Sequence, residues 1–123
     1  MESKKSKEVN EDAGMAVYDY IVNNVEKCRD ELPQLIDKLM ETDINGIFLA
    51  STARFLTAVD REAFAEFIPR LIEGTIEKDR ERKYLGSLME AIWGKGYEER
   101  REELAASDNN FRRIYKRLHP TGF

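Results

Sequence analysis

The side chains able to do chemistry in this 123-residue chain are few and scattered. His119 is the single histidine and Cys28 the single cysteine, so a zinc site would have to be completed by carboxylates, and no Glu-x-x-His pair is present. A serine, threonine or cysteine nucleophile needs a base to take its proton, and none is identifiable for Cys28, Ser51 or Ser87. The run Trp93-Gly94-Lys95-Gly96-Tyr97 lacks the spacing of a phosphate-binding loop and follows no strand pattern, so its glycines read as a helix stop. Glu98, Glu99, Glu102 and Glu103 flank Arg100 and Arg101, the pattern of a solvated, ion-paired helix rather than of an acid–base pair. No catalytic residue, metal or cofactor is called for, and the chain is expected not to be an enzyme.

Recognition chemistry has better candidates. Arg112, Arg113, Lys116 and Arg117 cluster opposite an apolar stripe of Phe111, Ile114, Tyr115 and Leu118, where they could contact nucleic-acid phosphates or simply sit favourably at a helix C-terminus. Trp93, Tyr97, Phe111 and Tyr115 read first as core, with an interface anchor as the alternative. Charge is uneven: residues 11 to 68 carry 12 acidic and 5 basic side chains, residues 69 to 123 carry 10 and 12. Such asymmetry can steer a partner or hold two copies head to tail.

These groups need a scaffold, and composition indicates a helical one. Hydrophobic residues make up 41% and charged residues 36%, with three prolines, which suits one domain rich in helix formers. Residues 1 to 10 are polar and lysine-rich and are expected to form a disordered leader outside a helical domain of residues 11 to 123. No run approaches the roughly 18 to 20 apolar residues that span a bilayer, and the N-terminus lacks a signal peptide's apolar stretch. A cytoplasmic location away from membranes is expected, with Cys28 as a small buried hydrophobe.

From a cap at Asn10, Val17, Tyr18, Ile21, Val22 and Val25 recur at helical spacing and predict a capping helix over 11–24. A shift of the sequence by 36 residues then aligns Leu32-Pro33-Gln34-Leu35-Ile36-Asp37 with Ile68-Pro69-Arg70-Leu71-Ile72-Glu73. It also aligns Asp43 with Asp79, Phe48-Leu49-Ala50-Ser51 with Tyr84-Leu85-Gly86-Ser87, and the cap-type residues Asn24 with Asp60. The alignment implies a duplicated hairpin, repeat 1 over 25–59 and repeat 2 over 60–94. Each holds a helix A (25–42, 61–78) bent or divided by its proline, and a helix B (44–59, 80–93) capped by the aspartate. C-terminal capping helices occupy 97–123, the last starting at Ser107 or Asp108 and ending before Pro120.

An A helix with a Leu-Pro-x-Leu-Ile string, an aspartate at the turn and a hydrophobic B helix resembles the HEAT and armadillo repeats over residues 25 to 94. The resemblance implies an all-α fold of antiparallel hairpins stacked as a short right-handed superhelix, with the outer helices as caps. It departs from the family in showing two units only.

Such a stack leaves a face for a partner. Asn45, Thr52, Arg54, Arg82, Lys83 and Glu90 interleave with the B-helix stripes and are the expected contacts of a protein partner, with a second copy of the chain as one option. The expected function is protein binding as an adaptor, regulator or inhibitor. Nucleic-acid association through Arg112, Arg113, Lys116 and Arg117 stands second.

Overall fold

A computed structural model of the chain describes the backbone of residues 2 to 121 and the side chains of residues 13 to 121. The fold is all-α, with no strand among the described residues. Its helices are α1 (Glu2–Asn23), α2 (Leu32–Thr42), α3 (Ile47–Asp60), α4 (Ile68–Lys78), α5 (Leu85–Trp93), α6 (Arg101–Ser107) and α7 (Asn109–Leu118), with 3₁₀ turns at Arg29–Glu31 and Tyr97–Arg100. They pack in two rows. Helix α3 lies between α1 and α5 in one row and crosses over to α4; α7 packs on both α4 and α5. Side chains of α4 in turn reach the backbone of α2, completing a second row of α2, α4 and α7.

The core lies between the rows, and the apolar stripes of the sequence fill it. Leu32, Ile36 and Leu39 of α2, Ile68, Leu71, Ile72 and Thr75 of α4, and Leu85, Leu88, Met89, Ile92 and Trp93 of α5 are all buried. Gly74 leaves room for side chains of both α2 and α3: a β-carbon there would fall 2.6 Å from Met40 Cε and 3.0 Å from Leu49 Cδ1.

The helix boundaries depart from expectation in three places. Helix α1 is helical from Glu2 and passes through Asn10 without a break, where a disordered leader and then a cap were expected; no glycine or proline between residues 2 and 13 interrupts it. The side chains of residues 1 to 12 lie outside the described residues. Pro33 and Pro69 occupy the first turns of α2 and α4, where a missing N–H is harmless, so of the two outcomes expected, bending or division, each A segment is divided ahead of its proline. The stretches ahead of them are turns: Phe64 N–H donates to Asp60 O, and Ala63 N–H donates to Asp60 Oδ1 at 3.1 Å. Asn24 makes no matching cap, since its amide donates back to Tyr20 O at 2.8 Å.

The third departure explains the hairpins. Asp43 and Asp79 close α2 and α4, and both are buried, at 1% and 2% exposure. Asp43 Oδ1 accepts from Gly46 N–H at 3.1 Å and Oδ2 from Leu49 N–H at 2.8 Å. Asp79 Oδ1 accepts from Lys83 N–H at 2.9 Å, and Oδ2 from Tyr84 and Leu85 N–H at 2.6 and 2.8 Å. Each carboxylate thus satisfies the orphan donors of a helix beginning several residues downstream, so α3 and α5 start later than a cap adjacent to the helix would place them. Leu49 and Leu85, 36 residues apart, donate the same bond. Gly46 and Arg82, also 36 apart, both take the left-handed conformation, with φ of 91° and 60°. Glycine adopts it freely; arginine pays in strain.

The C-terminal helices follow the sequence closely. Gly94, with φ of 89°, stops α5, and Asp108 caps α7 by accepting from Asn110 and Phe111 N–H at 3.0 and 3.1 Å.

Asp79→Ala strands three backbone donors and should lower stability by about 3 kcal/mol in urea unfolding. An unchanged midpoint would remove the carboxylate from its central role. At the left-handed position, Gly46→Ala should cost about 1 kcal/mol while Arg82→Gly costs nothing or stabilises. The reverse order in thermal melts would show that the two turns are not equivalent.

Candidate functional site

The residues expected at a partner surface do not all reach one. Thr52 is fully buried, with its hydroxyl donating to Phe48 O at 2.7 Å, so it is a core residue and not a contact. The 36-residue shift already held this answer, because it sets Thr52 against Leu88, a stripe position. Arg54 is half-buried and donates to Ser51 Oγ at 3.1 Å. Glu90, its counterpart one unit on, is exposed.

Two of the others meet. Asn45 Nδ2 donates to Tyr84 Oη at 3.4 Å across the two hairpin turns, and a hollow there is lined by Asn45, Lys78, Asp79, Arg80, Glu81, Lys83 and Tyr84. Lys83 pairs with Glu81 at 2.9 Å, and this carboxylate holds the exposed ammonium above the ordinary lysine value. Lys78 points inward, its ammonium donating to Met40 O and, at 2.5 Å, to Asp43 O. It places a cation on the C-terminal carbonyls of α2, the negative end of that helix dipole.

The same device recurs at α4 and fixes in place one of the residues expected to contact nucleic acid. Arg117 is half-buried, and its guanidinium donates to Ile76 O in the last turn of α4. Arg112 donates to Asn109 Oδ1 of its own helix, while Arg113 and Lys116 are exposed. Arg82, expected on a B helix, stands in the turn before α5 and donates to Arg117 O at 3.2 Å, tying that turn to the end of α7. Arg113 and Arg117 line a second hollow, of about 550 Å³, together with Ile76, Glu77 and Arg80.

Arg80 belongs to both hollows and was missed in the sequence, where it sits among charged residues with no periodic role. Its counterpart under the 36-residue shift is Ile44, which the structure places at the tip of the first hairpin, 57% exposed; the sequence alone held no sign of that exposure. Turn tips present outward side chains as well as the exposed flank of α5.

The aromatic residues belong to the core. Trp93 and Phe111 meet edge to face at 5.2 Å between ring centroids, Phe111 stacks on Tyr115 at 5.6 Å, and Tyr97 approaches Phe111 at 6.2 Å. Trp93 Nε1 donates to Asp108 Oδ2 at 2.9 Å, so the residue that caps α7 also fixes the indole of α5. His119 is exposed against the Tyr115 ring. Burial, and then nearby Glu98 and Glu90, push the Tyr97 hydroxyl upward; burial and Glu98 do the same for Tyr115. Burial, and then Glu31, raise the Cys28 thiol. Among the described residues no group of three His, Cys, Asp or Glu could hold a metal ion, and no helix is long and apolar enough to cross a membrane.

No protein-family model matches the chain, and neither a curated protein nor a solved structure is significantly similar to it.

Folding raises the Tyr97 and Tyr115 hydroxyls above the ordinary value of 10.0, so the native state holds their protons more tightly than the unfolded chain does. The associated stability is whole below pH 10 and is lost as pH climbs toward the folded values. Tyr97→Phe with Tyr115→Phe should flatten this alkaline loss in melts followed from pH 9 to 11. An equally steep loss in the double variant would assign it to other groups.

Proposed function

We propose that this chain is a non-enzymatic protein-interaction module: a short right-handed superhelix of HEAT-like hairpins, acting in the cytoplasm as an adaptor, regulator or inhibitor. The observation carrying this reading is the recurrence, after 36 residues, of one turn geometry. A buried aspartate takes the same Leu N–H in Asp43–Leu49 and Asp79–Leu85, and the left-handed turn residue falls at Gly46 and Arg82. Successive turns built alike lie side by side, so their tips form a ridge on which side chains from different units converge. Asn45 and Lys83 line one hollow on that ridge. A rigid ridge suits recognition, because side chains already placed lose little conformational freedom on binding.

The outer helices support the same reading. Helix α1 packs on α2 and α3 much as α3 packs on α4 and α5, and α7 is joined to α4 by the bond from Asn110 to Pro69 O as α4 is joined to α2 by the bond from Arg70 to Pro33 O. The chain then reads as two hairpins with half a unit at each end, the arrangement that shelters the terminal stripes of a helical stack. A second copy of the chain is one candidate partner for the turn ridge. The nucleic-acid reading stands second: of its four residues only Arg113 and Arg117 line a hollow together, and no aromatic side chain lines it as a stacking platform.

The test is quantitative affinity capture with the wild-type chain and with Asn45→Arg/Lys83→Glu, helical content being matched by circular dichroism. A partner held by the wild type should fall about tenfold or more in recovery with the double variant, as expected when two exposed contacts are replaced by repulsive ones. An identical partner profile for both proteins removes the turn ridge as the binding surface.

A further inference from the structure

We propose that the hollow between the α4–α5 turn and α7 receives a carboxylate-rich, extended segment of a protein partner, held by Arg80, Arg113 and Arg117. This rests on the reading of the chain as a protein-binding module and names the partner's chemistry. The hollow collects three guanidinium groups from two chain segments that are far apart in sequence, against one wall carboxylate, Glu77. Among the described residues neither Arg80, Arg113 nor Glu77 takes part in an ion pair, while the protein's other close pairs are Arg29–Glu66, Arg70–Asp37 and Lys83–Glu81. Arg117 is fixed by its bond to Ile76 O, and the α7 end that carries it is fixed by the bond from Arg82 to Arg117 O. One cation is thus pre-positioned and two are exposed beside it. A surplus of planar donors facing solvent is matched by carboxylates, which accept from guanidinium groups in a fork.

The surroundings favour an acidic peptide over nucleic acid. None of the five lining residues is aromatic, so bases would find no stacking platform. Glu77 would oppose a continuous phosphate chain, whereas a peptide can place an uncharged residue against it. Cation number argues the same way: affinity for a phosphate backbone grows with the number of phosphates neutralised, and this hollow offers three cations. Arg80 also lines the Asn45–Lys83 hollow, so a segment lying on the three arginines continues onto the turn ridge.

The test is fluorescence anisotropy of a labelled Glu-Ser repeat peptide and, separately, a labelled oligothymidylate, titrated with the full chain at low and at physiological salt. The wild type should bind the peptide with an affinity that falls as salt rises, and should prefer it to the oligonucleotide. Arg80→Glu/Arg113→Glu should weaken peptide binding about tenfold or more. Lys27→Glu/Lys95→Glu, which changes net charge equally at exposed positions elsewhere, should weaken it by less than about threefold. Absence of peptide binding, equal losses in the two double variants, or tighter binding of the oligonucleotide would each overturn the proposal. Such a failure alongside capture that still depends on Asn45 and Lys83 rejects the acidic segment alone. Capture that ignores Asn45 and Lys83 rejects the ridge instead, whatever the peptide does.

Discussion

Two buried carboxylates hold this fold in its hairpins. A chain that reverses between helices leaves backbone donors of the second helix without partners, and where the turn is buried no water can reach them. Asp43 and Asp79 answer that constraint from the end of the preceding helix, accepting from two and three backbone N–H groups respectively. Because the carboxylate belongs to one helix and its donors to the turn and the next, the bond sets the angle and spacing of the pair. It also requires a left-handed residue inside the turn, which Gly46 supplies without strain and Arg82 with it. The Arg82 side chain also reaches the end of α7, where it donates to Arg117 O.

A second constraint links the layers. The last-turn carbonyls of α2 and α4 carry the negative end of each helix dipole, and each receives a cation from the next helix of the row, Lys78 on α2 and Arg117 on α4. Asn110 donates to Pro69 O at 3.4 Å as Arg70 donates to Pro33 O at 3.4 Å, so the same row is also joined near its helix starts. Polar backbone ends, joined by side chains from the neighbouring layer, fix the register that apolar packing between helices leaves loose. Cations that a linear reading assigns to solvent or to phosphates are drawn into this role. What remains outward, Arg80 and Arg113 beside Arg117, is the residue of basic charge after the fold has taken its share.

The aromatic cluster closes the C-terminal end by a different principle. Trp93, Phe111 and Tyr115 share one packed group, and Asp108 serves both the indole N–H and the first turn of α7. One carboxylate satisfying a side-chain donor and two backbone donors couples the end of α5 to the start of α7. Burial of the ring system accounts for the raised hydroxyls of Tyr97 and Tyr115, since ionisation there would put charge where little water reaches.

The all-α class, the apolar stripes, the α7 cap as Ser107 or Asp108 and the stop at Gly94 were legible in the sequence, because each depends on residues within a few positions of one another. The 36-residue shift located Asp43, Asp79 and both prolines, and it contained the burial of Thr52 through its alignment with Leu88. Tertiary structure alone decided three things. It set the prolines at helix starts, because whether a turn or a helix precedes them depends on what the preceding segment packs against. It turned Lys78 and Arg117 into caps for other helices, since a cation's partner is chosen by which carbonyl the stack brings near. It gathered Arg80, Arg113 and Arg117 into one hollow, because the proximity of α4 and α7 is a property of packed layers and leaves no periodic trace along the chain.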